Sequence, residues 1–483
     1  MKWIYKKSSL INFLLFSILL CFSSCKDKDD VLPLEGDAKI NTWIKSIMDQ
    51  AYFWLEDMRT PIAISSEPEK YFESLLFRPT DRFSAIFPDY QQLIKSLQGV
   101  SKEAGYEILL ARESPQNNNV VAYVTYIKEG SPADLAGLKR GDMITRINGT
   151  RMTLENYQDL LRQRSEPHSI SPFRFDTQTD GFVAIDNMNL TTLELSENPN
   201  FLDTVYTVNN EKIGYVVYHF FAPGTTAQPN IYDNQMDQIF ADFKSQGINH
   251  LILDFRYNSG GKVSSAVNLA SLIAPGVGEN DILSKVQYNS FLSGFDQFKN
   301  VTRNFRTKAQ NLGPILSDNR IYVITSNRTA SASELIINGL KPYMDVFMVG
   351  DVTVGKNVGS VALEDEDNPD NKYGILPIVF RDANKNGQSD FGNGFIPNIS
   401  AREITQRWLL PFGDTDEYLL RVTINRILGN PPIDEDARML LSDRIDIGSS
   451  LDLKPRFGLI IDDNPEMKSI LSKNAGHKEP AKK

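Results

Sequence analysis

The sequence predicts an α/β fold, and three observations carry that prediction. Between residues 200 and 430, short β-branched runs alternate with stretches of helical period. One such run, Leu251-Ile252-Leu253-Asp254-Phe255, is followed by the paired glycines Gly260 and Gly261. Another, Ile321 to Thr325, leads through a short turn into the small-residue helix start Ser331-Ala332-Ser333-Glu334. Strands are expected over 213–218, 250–255, 321–325 and 346–350, and helices over 232–243, 263–273 and 333–340.

The chain has 483 residues, of which 41% are hydrophobic and 23% charged, enough apolar material for a sizeable core. Net charge is −10 with no basic stripe, which argues against a nucleic-acid partner. Both cysteines lie within the first 25 residues, so the folded body offers no cysteine nucleophile and no Cys-ligated zinc site. No cofactor and no metal are expected.

Residues 1–24 resemble a bacterial lipoprotein signal peptide. Lys2, Lys6 and Lys7 precede a short apolar run from Leu10 to Leu20, and small residues lead to Cys25. Cys25 is the expected lipidation site, Cys21 the lesser alternative, and residues 25–37 a tether. That implies a lipid anchor in the bacterial cell envelope, on the outer membrane.

Residues 38–100 read as a small helical N-terminal domain. Ile40, Trp43, Ile44, Ile47 and Met48 fall on one helix face. Residues 101–190 resemble a PDZ domain. Its marks are the strand Val120 to Val124, the short helix within Gly130-Ser131-Pro132-Ala133-Asp134-Leu135-Ala136-Gly137-Leu138, and the strand from Gly141 to Ile147 closed by Asn148-Gly149. PDZ domains capture chain ends as an added strand. By position, Gly105, Tyr106 and Ile108 would bind the peptide, with Glu107 an awkward neighbour for a carboxylate. Residues 200–450 form the α/β core, and residues 451–483 a tail with few apolar anchors beyond 457–461.

Ser331 sits at a strand-to-helix corner, where a hydroxyl is exposed and helix N–H groups can receive an oxyanion. Lys356 follows 25 residues later in Val354-Gly355-Lys356. A free lysine titrates near 10.4, so it serves as a base only where burial keeps it neutral. Val352, Val354 and Val358, alternating about it, are expected to line that site. Ser333 is the rival nucleophile and Lys262 the rival base. His219, at the end of an apolar strand, could build a Ser–His alternative, but a lone strand histidine is usually a core residue.

Taken together, Asp254-Phe255-Arg256-Tyr257-Asn258-Ser259-Gly260-Gly261, Ser331-Ala332-Ser333-Glu334 and Gly355-Lys356 resemble the C-terminal processing (tail-specific) serine peptidases. The resemblance implies a ClpP/crotonase-like core, nucleophile Ser331, general base Lys356, and an oxyanion hole from the N–H groups of Gly261 and Ala332. The family usually carries a glutamine four residues after the lysine. Here Ser360 stands there, so the third member stays open between Ser360 and Glu334. The implied partners are proteins or peptides with accessible C-termini. Two other functions remain: a catalytically impaired relative that binds peptides or other ligands, and a thioester-type acyl transferase, which the PDZ pattern disfavours.

Residues 382–390 mimic a calcium loop at Asp382, Asn384, Asn386, Gly387 and Asp390, but position 12 is Asn393 and no flanking helices are evident, so it reads as a loop.

Overall fold

The computed structural model describes residues 35–430, 444–455, 458–462, 466, 467 and 469–471. Cys25 and the signal-like segment lie outside the described residues. In chain order the N-terminal part has helices α1 (Asp37–Ala51), α2 (Pro68–Leu75) and α3 (Tyr90–Leu97). The predicted apolar face of α1 is buried at Trp43, Ile44, Ile47 and Met48. It packs into the same hydrophobic cluster as the α/β core.

Next come β1 (Tyr106–Arg112), β2 (Val120–Ile127), α4 (Pro132–Leu135), β3 (Met143–Ile147), α5 (Tyr157–Arg162), β4 (His168–Asp176) and β5 (Gly181–Ala184). Asn148 and Gly149 have φ of 50° and 72°, so the expected turn is present with both central residues left-handed. Ser131 caps α4 by accepting the Asp134 N–H, and Pro132 occupies its first turn.

The α/β core contains β6 (Asn200–Val208), β7 (Glu211–Tyr218), α6 (Ile231–Gln246), β8 (His250–Asp254), β9 (Gly261–Lys262), α7 (Val263–Ile273), β10 (Ile282–Tyr288), β11 (Thr302–Asn304), β12 (Arg320–Thr325), α8 (Ala332–Leu340), β13 (Asp345–Gly350), β14 (Val358–Ser360), β15 (Ile378–Asn384), β16 (Ile399–Ser400) and α9 (Tyr418–Ile427). Two strands follow, β17 (Ile445–Ser449) and β18 (Ile460–Ile461).

One six-stranded sheet runs β6-β7-β8-β12-β13-β16, antiparallel at β6–β7 and parallel from β7 onward. Its strands bury both faces, which is why they read as continuous apolar runs. Val216, Leu251, Leu253, Ile321 and Val323 face the large cluster shared with α6, α7 and α8. Ile213, Tyr215, Ile252, Tyr322 and Ile324 face the cluster covered by α9. A second six-stranded sheet runs β9-β18-β14-β15-β10-β11, and a third follows the path β17-β1-β2-β3-β4-β5.

In the tail, the apolar stretch expected at 457–461 supplies the strand β18 at Ile460–Ile461, and Leu451 before it is also drawn into a core. Leu451, Leu459, Ile460 and Ile461 are buried.

Candidate active site

The site lies beyond the carboxyl ends of the parallel strands β8, β12 and β13, where loops of an open α/β sheet converge. Asn258 joins the first two loops. Its Oδ1 accepts the Gly260 N–H at 2.9 Å and its Nδ2 donates to the Tyr218 carbonyl at 2.9 Å. Its carbonyl accepts the Ala330 N–H at 3.1 Å and the Ser333 hydroxyl at 3.1 Å. The rival nucleophile Ser333 is thus engaged in holding the turn.

Ser331 is the N-cap of α8, with φ 65° and ψ −112°. A non-glycine residue at positive φ is uncommon and persists only where its surroundings impose it. It is fully buried, and its Oγ makes no hydrogen bond among the described residues. Gly260 lies against it: a Cβ there would stand 2.6 Å from Ser331 Cβ.

Lys356 is also fully buried. Burial lowers its amine to about 7, with the carboxylates of Asp81 and Glu334 opposing the shift. Its surroundings differ from the expectation. Residues 351–357 form a loop rather than a strand, and Val352 and Val354 are only half-buried. The N-terminal part closes the site instead. Nζ lies 4.7 Å from the centre of the Phe83 ring. Arg82 donates to the Gly355 carbonyl at 3.1 Å. Asp81 is fixed nearby by Tyr52 Oη at 2.9 Å and by the N–H groups of Phe83 and Ser84. Sequence reasoning missed these residues, which lie about 270 positions from the lysine.

Glu334 connects the two halves. Its Oε2 accepts the N–H of Ser331 at 2.7 Å and of Lys356 at 2.8 Å. Its Oε1 accepts the Gly355 N–H at 2.7 Å and the Thr353 hydroxyl at 2.6 Å. Burial raises its carboxyl, and these four donors pull the other way. Ser360 is fully buried with its Oγ unpartnered among the described residues.

Ser331 and Lys356 are not hydrogen-bonded to each other. Lys356 Nζ donates to the Gly458 carbonyl at 2.5 Å. The Gly261 N–H, expected in an oxyanion hole, donates to the Leu459 carbonyl at 2.5 Å. Ala332 is the first residue of α8.

The alternatives fare differently. His219 stacks on Phe201 with ring centres at 4.5 Å and lies tilted against Tyr126 at 4.0 Å, and its Nδ1 is 3.5 Å from Glu197, so it belongs to an aromatic cluster. Lys262 is only half-buried at the start of α7. Among the described residues no cluster of His, Cys, Asp and Glu could hold a metal. In the calcium-like loop, Asp382 pairs with Arg303, and Asn384 Oδ1 accepts the N–H groups of Asn386 and Gln388.

A model of peptidase family S41 matches residues 212–401, a PDZ domain model residues 123–171, and an S41 N-terminal domain model residues 39–85. The chain carries a peptidase S41 domain, a PDZ domain and an S41 N-terminal domain. A protein of known structure from Bacteroides fragilis, described as an S41 protease, is 27% identical, with a TM-score of 0.66 over 80% of this chain and 97% of that one. A CtpA-like serine protease by name from Staphylococcus epidermidis is 22% identical over 63% of this chain. The match spans 54% of that relative, about half its length. A carboxyl-terminal-processing protease of Picosynechococcus is 22% identical over 69% of this chain and 74% of its own.

In the PDZ part of the chain, Tyr106 is buried and its hydroxyl lies 2.9 Å from His168 Nε2. The Ile108 N–H donates to Ser450 Oγ at 2.9 Å. Glu107 is buried as a carboxylate: burial would raise it, but Lys454 and Lys128 hold it below its usual range.

Proposed function

We propose that the chain is a serine endopeptidase in which Ser331 attacks the scissile carbonyl and neutral Lys356 accepts its proton. The Gly261 and Ala332 N–H groups would stabilise the tetrahedral oxyanion. Lys356 would then return the proton to the leaving amine, and water would hydrolyse the acyl-enzyme by the same route. The observation that carries this reading is Glu334, which ties the main chain of the nucleophile to that of a fully buried lysine. Glu334 acts as a positioning residue, and Ser360 is the remaining polar group for orienting the amine.

The substrates in this reading are proteins cut near accessible C-termini, with the PDZ domain recognising chain ends. Lipidation at Cys25 would hold the enzyme on the outer membrane of the cell envelope. Loss of a fatty-acid label in Cys25→Ala is the expected result of metabolic labelling.

Cleavage of an unfolded, tail-exposed protein tests the chemistry. Ser331→Ala, Lys356→Ala and the double variant should be about equally slow, because the two residues act as a unit. Lys356→Arg should also be inactive, since a guanidinium stays charged near neutral pH. Full activity in Lys356→Arg would reject the mechanism. The second reading, a peptide-binding relative without catalysis, is favoured by one observation: Lys356 donates to Gly458 rather than to Ser331.

A further inference from the structure

Residues 445–455 and 458–462 reach both the PDZ edge and the catalytic cleft. The first segment adds to the third sheet. β17 pairs antiparallel with β1, Ile445 opposite Arg112 and Ser449 opposite Leu109. Ser449 Oγ donates to the Ile108 carbonyl at 2.8 Å, and Ser450 Oγ donates to Glu107 at 2.5 Å. Ile447 packs against the PDZ core. This strand runs toward the loop at Gly105, the direction in which a captured chain end would run.

The same stretch grips the nucleophile loop. Asp446 receives both terminal nitrogens of Arg328 at 2.9 Å, and Asp452 lies 3.6 Å from Arg328 Nε. Arg328 is three residues before Ser331.

Its last segment fills the cleft. β18 lies between β9 and β14, parallel to both. The Asp462 N–H donates to the Ser360 carbonyl at 3.0 Å. The Gly458 carbonyl takes the hydrogen bond of Lys356, and the Leu459 carbonyl that of Gly261. Leu459 and Ile461 are buried in one apolar cluster with Tyr90, Leu93 and Leu97 of α3. The general base, the oxyanion donor and the strand edges on either side are all engaged by the chain itself.

We propose that residues 445–455 and 458–462 form an inhibitory strap, which covers the PDZ edge and the catalytic cleft together and must leave before a peptide can enter. The order of the two segments separates a cap from a substrate. A substrate captured by its C-terminus would place upstream residues in the cleft. Here the cleft segment lies downstream of the PDZ segment, so the strap excludes a substrate from both places without presenting one. This inference rests on the peptidase reading for its consequence, but its test is a binding measurement.

Ser331→Ala protein is titrated with a fluorescent synthetic peptide of residues 445–467. It is compared with the same protein also carrying Leu459→Ser, Ile460→Ser and Ile461→Ser, which removes the apolar grip of the cleft segment. A second variant carries Asp446→Asn and Asp452→Asn, which loosens the Arg328 contacts at the half-exposed surface and leaves the apolar clusters intact. Both should bind the peptide at least tenfold more tightly than the parent. The peptide should also raise amide exchange at 458–462 in the parent while α7 and α8 keep theirs. Equal binding by parent and any folded variant, or unchanged exchange at 458–462 with peptide bound, would overturn the strap. With Ser331 restored, faster casein cleavage by the loosened variants is the expected result. No cleavage by any of them would reject the peptidase reading and leave the binding result to decide the strap.

Discussion

Glu334 holds Lys356 by its main chain: Oε2 accepts the lysine N–H at 2.8 Å, and the ammonium is left to other partners. The same oxygen accepts the Ser331 N–H at 2.7 Å. One carboxylate therefore sets the relative position of two residues that come from different loops. A carboxylate suits this place because it has only acceptors, and four donors converge on it.

Glu334→Gln should lower kcat much more than it raises KM. The amide keeps the size but points an NH2 group at two of those donors, leaving buried polar groups unpaired at about 1–3 kcal/mol each. Misplacement of the pair should reduce kcat by about 10²-fold. Unchanged kcat in a folded Glu334→Gln protein would show that the backbone clamp has no part in catalysis.

Lys356 makes both activity and stability depend on pH. In the proposed mechanism its neutral form is the base, so kcat/KM should rise through about pH 7 and level off above it. The stability effect has its own sign. The folded amine titrates near 7 and the unfolded one near 10.5, so between these values the unfolded chain binds more protons and stability rises with pH. Below about 7 the burial cost is complete, on the order of 4–5 kcal/mol. Lys356→Met should therefore be inactive yet melt higher than the parent at pH 6, with the difference shrinking by pH 10. A constant difference in Tm across that range would contradict a depressed lysine.

The parts of this arrangement legible in the sequence are those with local signals. A β-branched run followed by Gly260-Gly261, or by Ser331-Ala332, marks a strand and its turn without any distant partner. The Asn148-Gly149 turn was legible for the same reason. The environment of Lys356 was not, because its burial comes from Phe83 and from a loop whose valines do not alternate as strand residues. Glu334 was visible as a polar neighbour one helical turn from Ser331. Its contacts with Gly355 and Lys356 depend on the packing of β13 against α8, which no local pattern encodes. The role of 458–461 was hidden because a short apolar stretch near a chain end carries no mark of the sheet it will join.

Arg256, in the Asp254-Phe255-Arg256 sequence, is predicted to carry stability rather than chemistry. It is buried against Asp254 at 2.6 Å, Glu417 at 2.6 Å and Glu403 at 3.0 Å, and Arg140 of the PDZ part reaches Glu403 and Glu417. Removing one partner of a buried charge cluster typically costs about 3–5 kcal/mol. Arg256→Leu should lose that much in denaturant melts. The surrounding arginines hold Glu403 at about 2, so its contribution is complete above about pH 4.5 and falls away toward pH 2. Arg256→Leu should flatten the acid limb of the stability curve, and an unaltered limb would argue against this account.

Gly260→Ala should displace Ser331, the proposed nucleophile, through contact alone. Gly260 has φ +109°, a conformation that side-chain-bearing residues rarely adopt. An added Cβ would stand 2.5 Å from the Leu459 carbonyl oxygen and 2.6 Å from Ser331 Cβ. The first contact can be relieved if the segment at 459 moves away. The second cannot, because Ser331 is fixed by Glu334 and by the start of α8. Overpacking of this kind costs about 1–3 kcal/mol, so the protein should still fold with a lower Tm. Labelling of Ser331 by a fluorophosphonate should fall by at least tenfold, while amide exchange at 458–462 rises. A variant whose exchange rises and whose Ser331 labels as fast as the parent would show that the serine is not held against this turn.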